Sequence, residues 1–231
     1  MIRVEGLRAE QADFVLRAAF DVPQGRRVAV AGPSGAGKST LLGILGGYTP
    51  VFAGKILIND VDVTEAAPDG RGIAMLFQDG NLFPHLSVAQ NVGLGMRPSL
   101  RLSGTEMARV AEALERVGLA DLAARKPGAL SGGQQSRAAL ARVLLQSAPV
   151  LLLDEPFVAL GPALRAEMLA LTAEVVAESG ATMMMVTHAP GEVAEMVDDL
   201  IFVDAGEVAP PAPAGDALAN PPPALRAYLG G

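Results

Sequence analysis

"RVAVAGPSGAGKST", Arg27 to Thr40, joins a short apolar run to a Gly-rich loop and then to a helix-forming segment. The loop fits G-x-x-x-x-G-K-[ST] at Gly32, Gly37, Lys38 and Ser39. Between a strand and a helix this pattern makes a phosphate cradle, because glycines let successive N–H groups turn inward and the helix N-terminus adds its own. Gly32, Pro33, Ser34, Gly35, Ala36 and Gly37 are therefore expected to wrap phosphates. Lys38 would place its charge on the β- and γ-phosphates, Ser39 would reach Mg²⁺, and Thr40 would lie near the α-phosphate.

Three further apolar runs share the texture of "RVAVAG". They are "IAMLFQ" ending at Gln78, "VLLLDE" ending at Glu155 and "MMMVTH" ending at His188. Each is continuous rather than alternating, as in strands buried on both faces. Helical patterns alternate with them: "KSTLLGILGG", "GTEMARVAEALERVG", "QSRAALARVLLQ" and "ALRAEMLALTAEVVAES". Strands alternating with helices predict a mainly parallel sheet, with ligands beyond the carboxyl ends of its strands. The polar residues that end the runs should converge there. Asp154 could hold Mg²⁺ through its water shell, and Glu155 could orient and deprotonate an attacking water. Gln78 could touch Mg²⁺ or that water. His188 could hydrogen-bond the γ-phosphate or the water.

Residues 79–149 lack strand texture and read as a helical subdomain inserted between two core strands, leaving residues 1–78 and 150–208 as the nucleotide-binding core. Residues 209–231 are rich in Pro and Ala and read as a loosely ordered strap ending in one short helix. The chain has 231 residues, half of them apolar, a formal charge of −7 and no cysteine. Disulfides and zinc–thiolate sites are thereby excluded, and the acidic balance argues against nucleic acid as a partner. The start, "MIRVEGLRAEQ", lacks a basic-then-apolar leader pattern, and no uncharged run suits a membrane span; a cytoplasmic location is expected.

A second Gly-rich loop, "LSGGQQ", stands before the helical run at Ser136–Gln146. One P-loop already encloses one side of the phosphates, so a second loop helps only from the opposite face. Ser131 and the N–H groups of Gly132 and Gly133 have the chemistry for that, and a symmetric dimer would supply the geometry. The plainer reading is an N-capped helix.

The P-loop, "FQ" at Phe77–Gln78, "LSGGQQ", "LLLDEP" and "VTH", in this order and across the whole chain, resemble the ATP-binding subunits of ABC transporters. "GPSGAGKSTLLGILGGY", "MLFQDGNLFPHLSVAQNVGLG" and "PALRAEMLAL" are most similar to those of bacterial thiamine importers. The resemblance implies an α/β P-loop NTPase core with an N-terminal antiparallel β subdomain and the inserted helical subdomain. It implies ATP and Mg²⁺ as cofactors, with Ser131, Gly132, Gly133 and Gln134 serving the nucleotide of the partner in a homodimer. It also implies integral membrane permease subunits, a solute-binding protein reached through them, and a place on the cytoplasmic face of the inner membrane. The activity implied is ATP hydrolysis that energises import of a small molecule, thiamine or its phosphate esters. Import of another small solute, or a low-turnover regulatory nucleotide-binding subunit, are the other readings. In the family, the segment after Gln78 leads to a groove that receives a cytoplasmic helix of the membrane subunit. Two positions depart from the family pattern. Gln11 stands where an adenine-stacking aromatic is usual, with Phe14 the nearest aromatic, and Gly161 replaces an Asp.

Overall fold

The computed structural model describes residues 1–11, 14–78 and 80–230; Ala12, Asp13, Asp79, Gly231 and the side chain of Gln11 lie outside the described residues. The strands are β1 (Ile2–Gln11), β2 (Phe14–Val22), β3 (Arg27–Ala31), β4 (Ala53–Ile58), β5 (Val61–Asp62), β6 (Ile73–Leu76), β7 (Val150–Asp154), β8 (Thr182–Val186), β9 (Asp199–Asp204), β10 (Glu207–Val208) and β11 (Ala212–Pro213). The α-helices are α1 (Lys38–Leu45), α2 (Val88–Gly93), α3 (Gly104–Arg116), α4 (Gly132–Leu145), α5 (Pro162–Ser179), α6 (Ala214–Ala219) and α7 (Pro223–Leu229).

One sheet runs in the order β5-β4-β1-β2-β10-β9-β3-β8-β7-β6, with β11 pairing β9. The half from β9 to β6 is parallel, and β1, β2, β4 and β5 pair antiparallel. The short β10 joins the halves, parallel to β2 and antiparallel to β9. The continuous apolar runs are explained by two-sided burial. In β7, Val150 and Leu152 face a core shared with α1 and the antiparallel strands, while Leu151 and Leu153 face one built from α4, α5 and the C-terminal helices. A third core lies between α2, α3 and α4. Helix α4 contributes to both the second and third cores, so it ties the helical region to the sheet.

Three elements differ from the expectation. The strand β9, "DLIFVD", sits beside β3 in the middle of the sheet. The segment after Gln78 contains α2, started by a capping box in which Ser87 Oγ accepts from the Gln90 N–H and Gln90 Oε1 accepts from the Ser87 N–H. The tail holds two short helices, not one, and it is packed: Ala214 and Leu225 are buried in the second core. Pro and Ala suit this role, because Pro presets helix starts and Ala packs close without losing side-chain entropy.

Candidate active site

The parallel strands end in register. Val30 and Asp154 each pair with Val186, and Leu153 pairs with Leu76. The chain therefore leaves β3, β6, β7 and β8 at one edge, where Gly32, Gln78, Glu155 and His188 follow. At Gly32 φ is +152°, and a Cβ there would stand 2.0 Å from the Val203 carbonyl oxygen, so only glycine admits the turn. Gly37 closes the loop at φ +109° as the N-cap of α1, with no side-chain cap on the helix N-terminus. The first-turn N–H groups are thus left for a ligand.

Lys38 is 5% exposed, and its Nζ donates to the carbonyls of Gly32 and Pro33, both at 2.8 Å. Burial lowers its pKa, against the charges of Glu155 and Asp154. Ser39 Oγ donates to Asp154 Oδ1 at 3.1 Å. Burial pushes the Asp154 carboxyl up; the Ser39 hydrogen bond opposes that, and the Glu155 charge adds to it. A buried carboxylate held this way is stabilised by a cation facing it. Ser39 hydroxyl, Asp154 carboxylate and the Gln78 amide are all hard oxygen donors, the set that suits Mg²⁺. Glu155 takes φ +47°, a left-handed conformation costing on the order of 1–3 kcal/mol for a residue with a side chain. Its Oε1 lies 2.6 Å from His188 Nε2.

These groups line one cleft of about 560 Å³, formed by Ser34, Gly35, Gly37, Lys38, Ser39 and Thr40 on one side and by Phe14, Gln78, Glu155 and His188 around them. Ala36 turns into the core instead. Phe14 packs on the loop itself: a Cβ at Gly37 would come within 2.7 Å of its ring. The side chain of Gln11 lies outside the described residues, but its backbone pairs with Phe14, which places an aromatic at the cleft from the neighbouring strand.

Among the described residues that line this cleft, none belongs to the Ser131 loop. Ser131 is the N-cap of α4, and with Gln134 it makes a complete capping box: Ser131 Oγ accepts from the Gln134 N–H, and Gln134 Oε1 accepts from the Ser131 N–H. Ser131 and Gly132 are exposed, and a Cβ at Gly133 would meet Leu160 at 2.9 Å, so this loop neighbours the segment that follows Glu155.

Two contacts carry no signal in the sequence motifs. Arg142 of α4 is buried and donates to the carbonyls of Gly80 (2.9 Å) and Asn81 (2.8 Å), tying the segment after Gln78 to the helix that begins at Ser131. The Tyr228 hydroxyl of α7 donates to the His188 carbonyl at 3.0 Å.

Residues 15–158 match the model of the family described as "ABC transporter". The chain belongs to the ABC transporter family. This cassette is 54% identical over 230 residues to the thiamine import ATP-binding protein ThiQ of Cereibacter sphaeroides and 53% identical over 230 residues to that of a Ruegeria species, each match covering all of both chains. It is 48% identical to the protein of the same name from a Jannaschia species, covering 99% of this chain and all of that one. An ATP-binding cassette solved as a dimer in a post-hydrolysis state with ADP and Pi superposes with a TM-score of 0.83 at 29% identity, over 93% of this chain and 99% of that one. The cassette is accordingly an ATPase, its hydrolysis coupled to transport.

Proposed function

We propose that this chain powers an importer for thiamine or its phosphate esters, acting as a homodimer on the cytoplasmic face of a membrane through permease subunits. The convergence of Lys38, Glu155 and His188 on one cleft, with Asp154 behind Ser39 and the Ser131 loop not lining it, carries this reading. One copy offers only one wall of a phosphate site, and a second copy related by a two-fold axis supplies Ser131, Gly132 and Gly133 as the other. The cargo is taken from the full-length likeness to proteins named for thiamine import.

Each residue then has a task. The P-loop N–H groups and Lys38 hold the β- and γ-phosphates of ATP, and Phe14 covers the base. Ser39, Asp154 and Gln78 hold Mg²⁺, which neutralises charge on the phosphate oxygens when bound. Glu155 accepts the proton of the attacking water, and His188 orients the carboxylate or the γ-phosphate. On closure the partner's capping-box helix directs its N-terminus at the γ-phosphate, where its dipole favours negative charge.

The membrane side is read from α2 and α3. An apolar groove of about 410 Å³ between them is lined by Leu100, Leu102, Met107, Val110 and Leu114. Met107 is 57% exposed. This groove would receive a cytoplasmic helix of the permease. Movement there reaches Ser131 through α4, because Arg142 fastens α4 to the segment leading back to Gln78. A solute-binding protein would act through the permease from the far side. The test is reconstitution with the permease that co-purifies from membranes. ATPase activity stimulated by thiamine-loaded binding protein is the expected result. Stimulation by another solute and not by thiamine would overturn the cargo, and turnover indifferent to the permease would overturn the transport role.

A further inference from the structure

The C-terminal tail belongs to the second core and reaches the active-site edge. The strand β11 pairs β9 through Ala212–Leu200 and Pro213–Asp199. Leu225 of α7 is 2% exposed. Tyr228 follows it by three residues, on the same helix face. Its ring packs on Phe202 with centroids 5.8 Å apart, and its hydroxyl donates to the His188 carbonyl at 3.0 Å. His188 itself lies beyond the end of β8, outside the sheet's hydrogen-bonded ladder, with the 3₁₀ turn Pro190–Val193 just after it. The hydroxyl is open enough to be satisfied by water, so burial alone does not demand this contact.

We infer that Tyr228 is a positioning residue: by holding the His188 carbonyl it fixes the loop that brings the imidazole to within 2.6 Å of Glu155. This rests on the reading of His188 given above. The tail is then a latch on hydrolysis rather than a trailing strap. Its anchor is apolar, through Leu225 and Phe202, and its working contact is one hydroxyl. The hydroxyl also lies near the Gly32 N–H at the head of the P-loop, but that turn is set by the close approach of Val203 to Gly32, so the effect should fall mainly on turnover rather than on affinity.

The test uses the full chain, with Tyr228→Phe keeping the ring on Phe202 and removing only the hydroxyl. One neutral hydrogen bond is at stake, so kcat should fall roughly two- to tenfold. The KM for ATP should stay within about twofold, and Tm should fall by no more than the few degrees that one hydrogen bond carries in a chain of this size. Unchanged kcat would overturn the inference. So would a rise in the KM for ATP as large as the fall in kcat, since that marks a general loosening of the site and not a role in positioning His188. His188→Ala is measured alongside. Added to it, Tyr228→Phe should cost nothing further, because the hydroxyl works through His188; multiplied losses would overturn the latch. If His188→Ala itself keeps wild-type turnover, the role of His188 falls and the latch with it. If His188→Ala is impaired and Tyr228→Phe is not, the latch alone falls.

Discussion

The imidazole of His188 meets the carboxylate of Glu155 at 2.6 Å, across the ends of the adjacent parallel strands β8 and β7. Glu155 reaches this position by taking a left-handed backbone conformation one residue past β7. A conformation of that cost persists where the surroundings impose it, and here it turns a carboxylate out of the sheet toward the cleft. Glu155→Gln keeps the shape and removes the base. Turnover should fall by about 10²–10⁴ while ATP binding is kept. A cassette that binds without hydrolysing should accumulate as a closed dimer, seen by size exclusion with Mg-ATP. Wild-type turnover in this variant would remove Glu155 from its role.

Ser131→Arg separates the two walls of the phosphate site. Ser131 lies outside the P-loop cleft, so the variant should bind ATP as a single subunit yet fail to dimerise on it. Loss of the cap costs about 1 kcal/mol of helix stability, so Ser131→Ala serves as the control: it loses the same cap without placing a cation at the helix N-terminus. Equilibrium binding of a fluorescent ATP analogue, with light scattering for the dimer, reads both effects. An affinity loss as severe as that of Lys38→Ala would show the loop serving its own subunit's nucleotide.

Phe14→Ala addresses the base. A stacked aromatic is worth about 1 kcal/mol beyond its buried area, which is several-fold in affinity. ATP should weaken by that factor while inorganic tripolyphosphate binds as before. Equal weakening of both would mean that Phe14 matters only by packing on Gly37.

The start of α3 should be acid-sensitive. Hydrogen bonding from Arg97, reinforced by Ser103, lowers the pKa of the Glu106 carboxyl from 4.5 to about 2. A carboxyl depressed in the folded state adds stability that is complete above the unfolded value and is lost as pH falls toward the folded one. The contribution should therefore fade between pH 4.5 and about 2. Hydrogen exchange of α3 amides should rise across that window in the wild type and rise less steeply in Glu106→Gln. Identical profiles would show that the Arg97 pair carries no folding energy.

The parts of the fold that were legible in the sequence are those whose chemistry forces residue type. The P-loop needs Gly32 where Val203 crowds the backbone and Gly37 beside Phe14, and two-sided burial makes β3, β7 and β8 continuous apolar runs. The strand β9 was harder, because acidic residues flank a short run and its partner β3 lies far back in the chain. Helix α2 spans six residues after a Pro and several turn-forming residues, and its Ser87-x-x-Gln90 box was the one local sign of it. The site's motifs could be placed on one edge because each ends an apolar run in a sheet read as mainly parallel. The Tyr228 and Arg142 contacts could not, since they join residues 40 and about 60 positions apart through carbonyl groups that every residue has.

Gly161 stands where the family pattern has Asp, and its geometry decides what restoring Asp would do. It is the N-cap of α5 with φ −67° and ψ 161°, an extended conformation open to any residue. Among the described residues, no atom beyond its chain neighbours lies within 4 Å of where its Cβ would be, so Asp enters without strain. The helix N-terminus has no side-chain cap, and Pro162 occupies its first turn. An Asp here should accept from the N–H groups of that turn and meet the favourable end of the helix dipole; glycine is itself a fair N-cap, so the gain is a few tenths of a kcal/mol from the cap and about 0.3–1 kcal/mol from the dipole. In a chain of this size, 1 kcal/mol raises Tm by roughly 2–4 °C. Gly161→Asp should therefore be more stable than wild type in a thermal scan. The catalytic effect depends on the dimer. The position follows Glu155 by six residues and adjoins Leu160, which neighbours Gly133 of the loop proposed to cross to the partner. An acceptor there should lengthen dimer lifetime and raise steady-state turnover measured with the permease present. A higher Tm with unchanged turnover would confine the Asp to capping α5. Slower turnover would show that the segment between Glu155 and α5 is tuned to glycine, with its freedom used in each opening of the dimer.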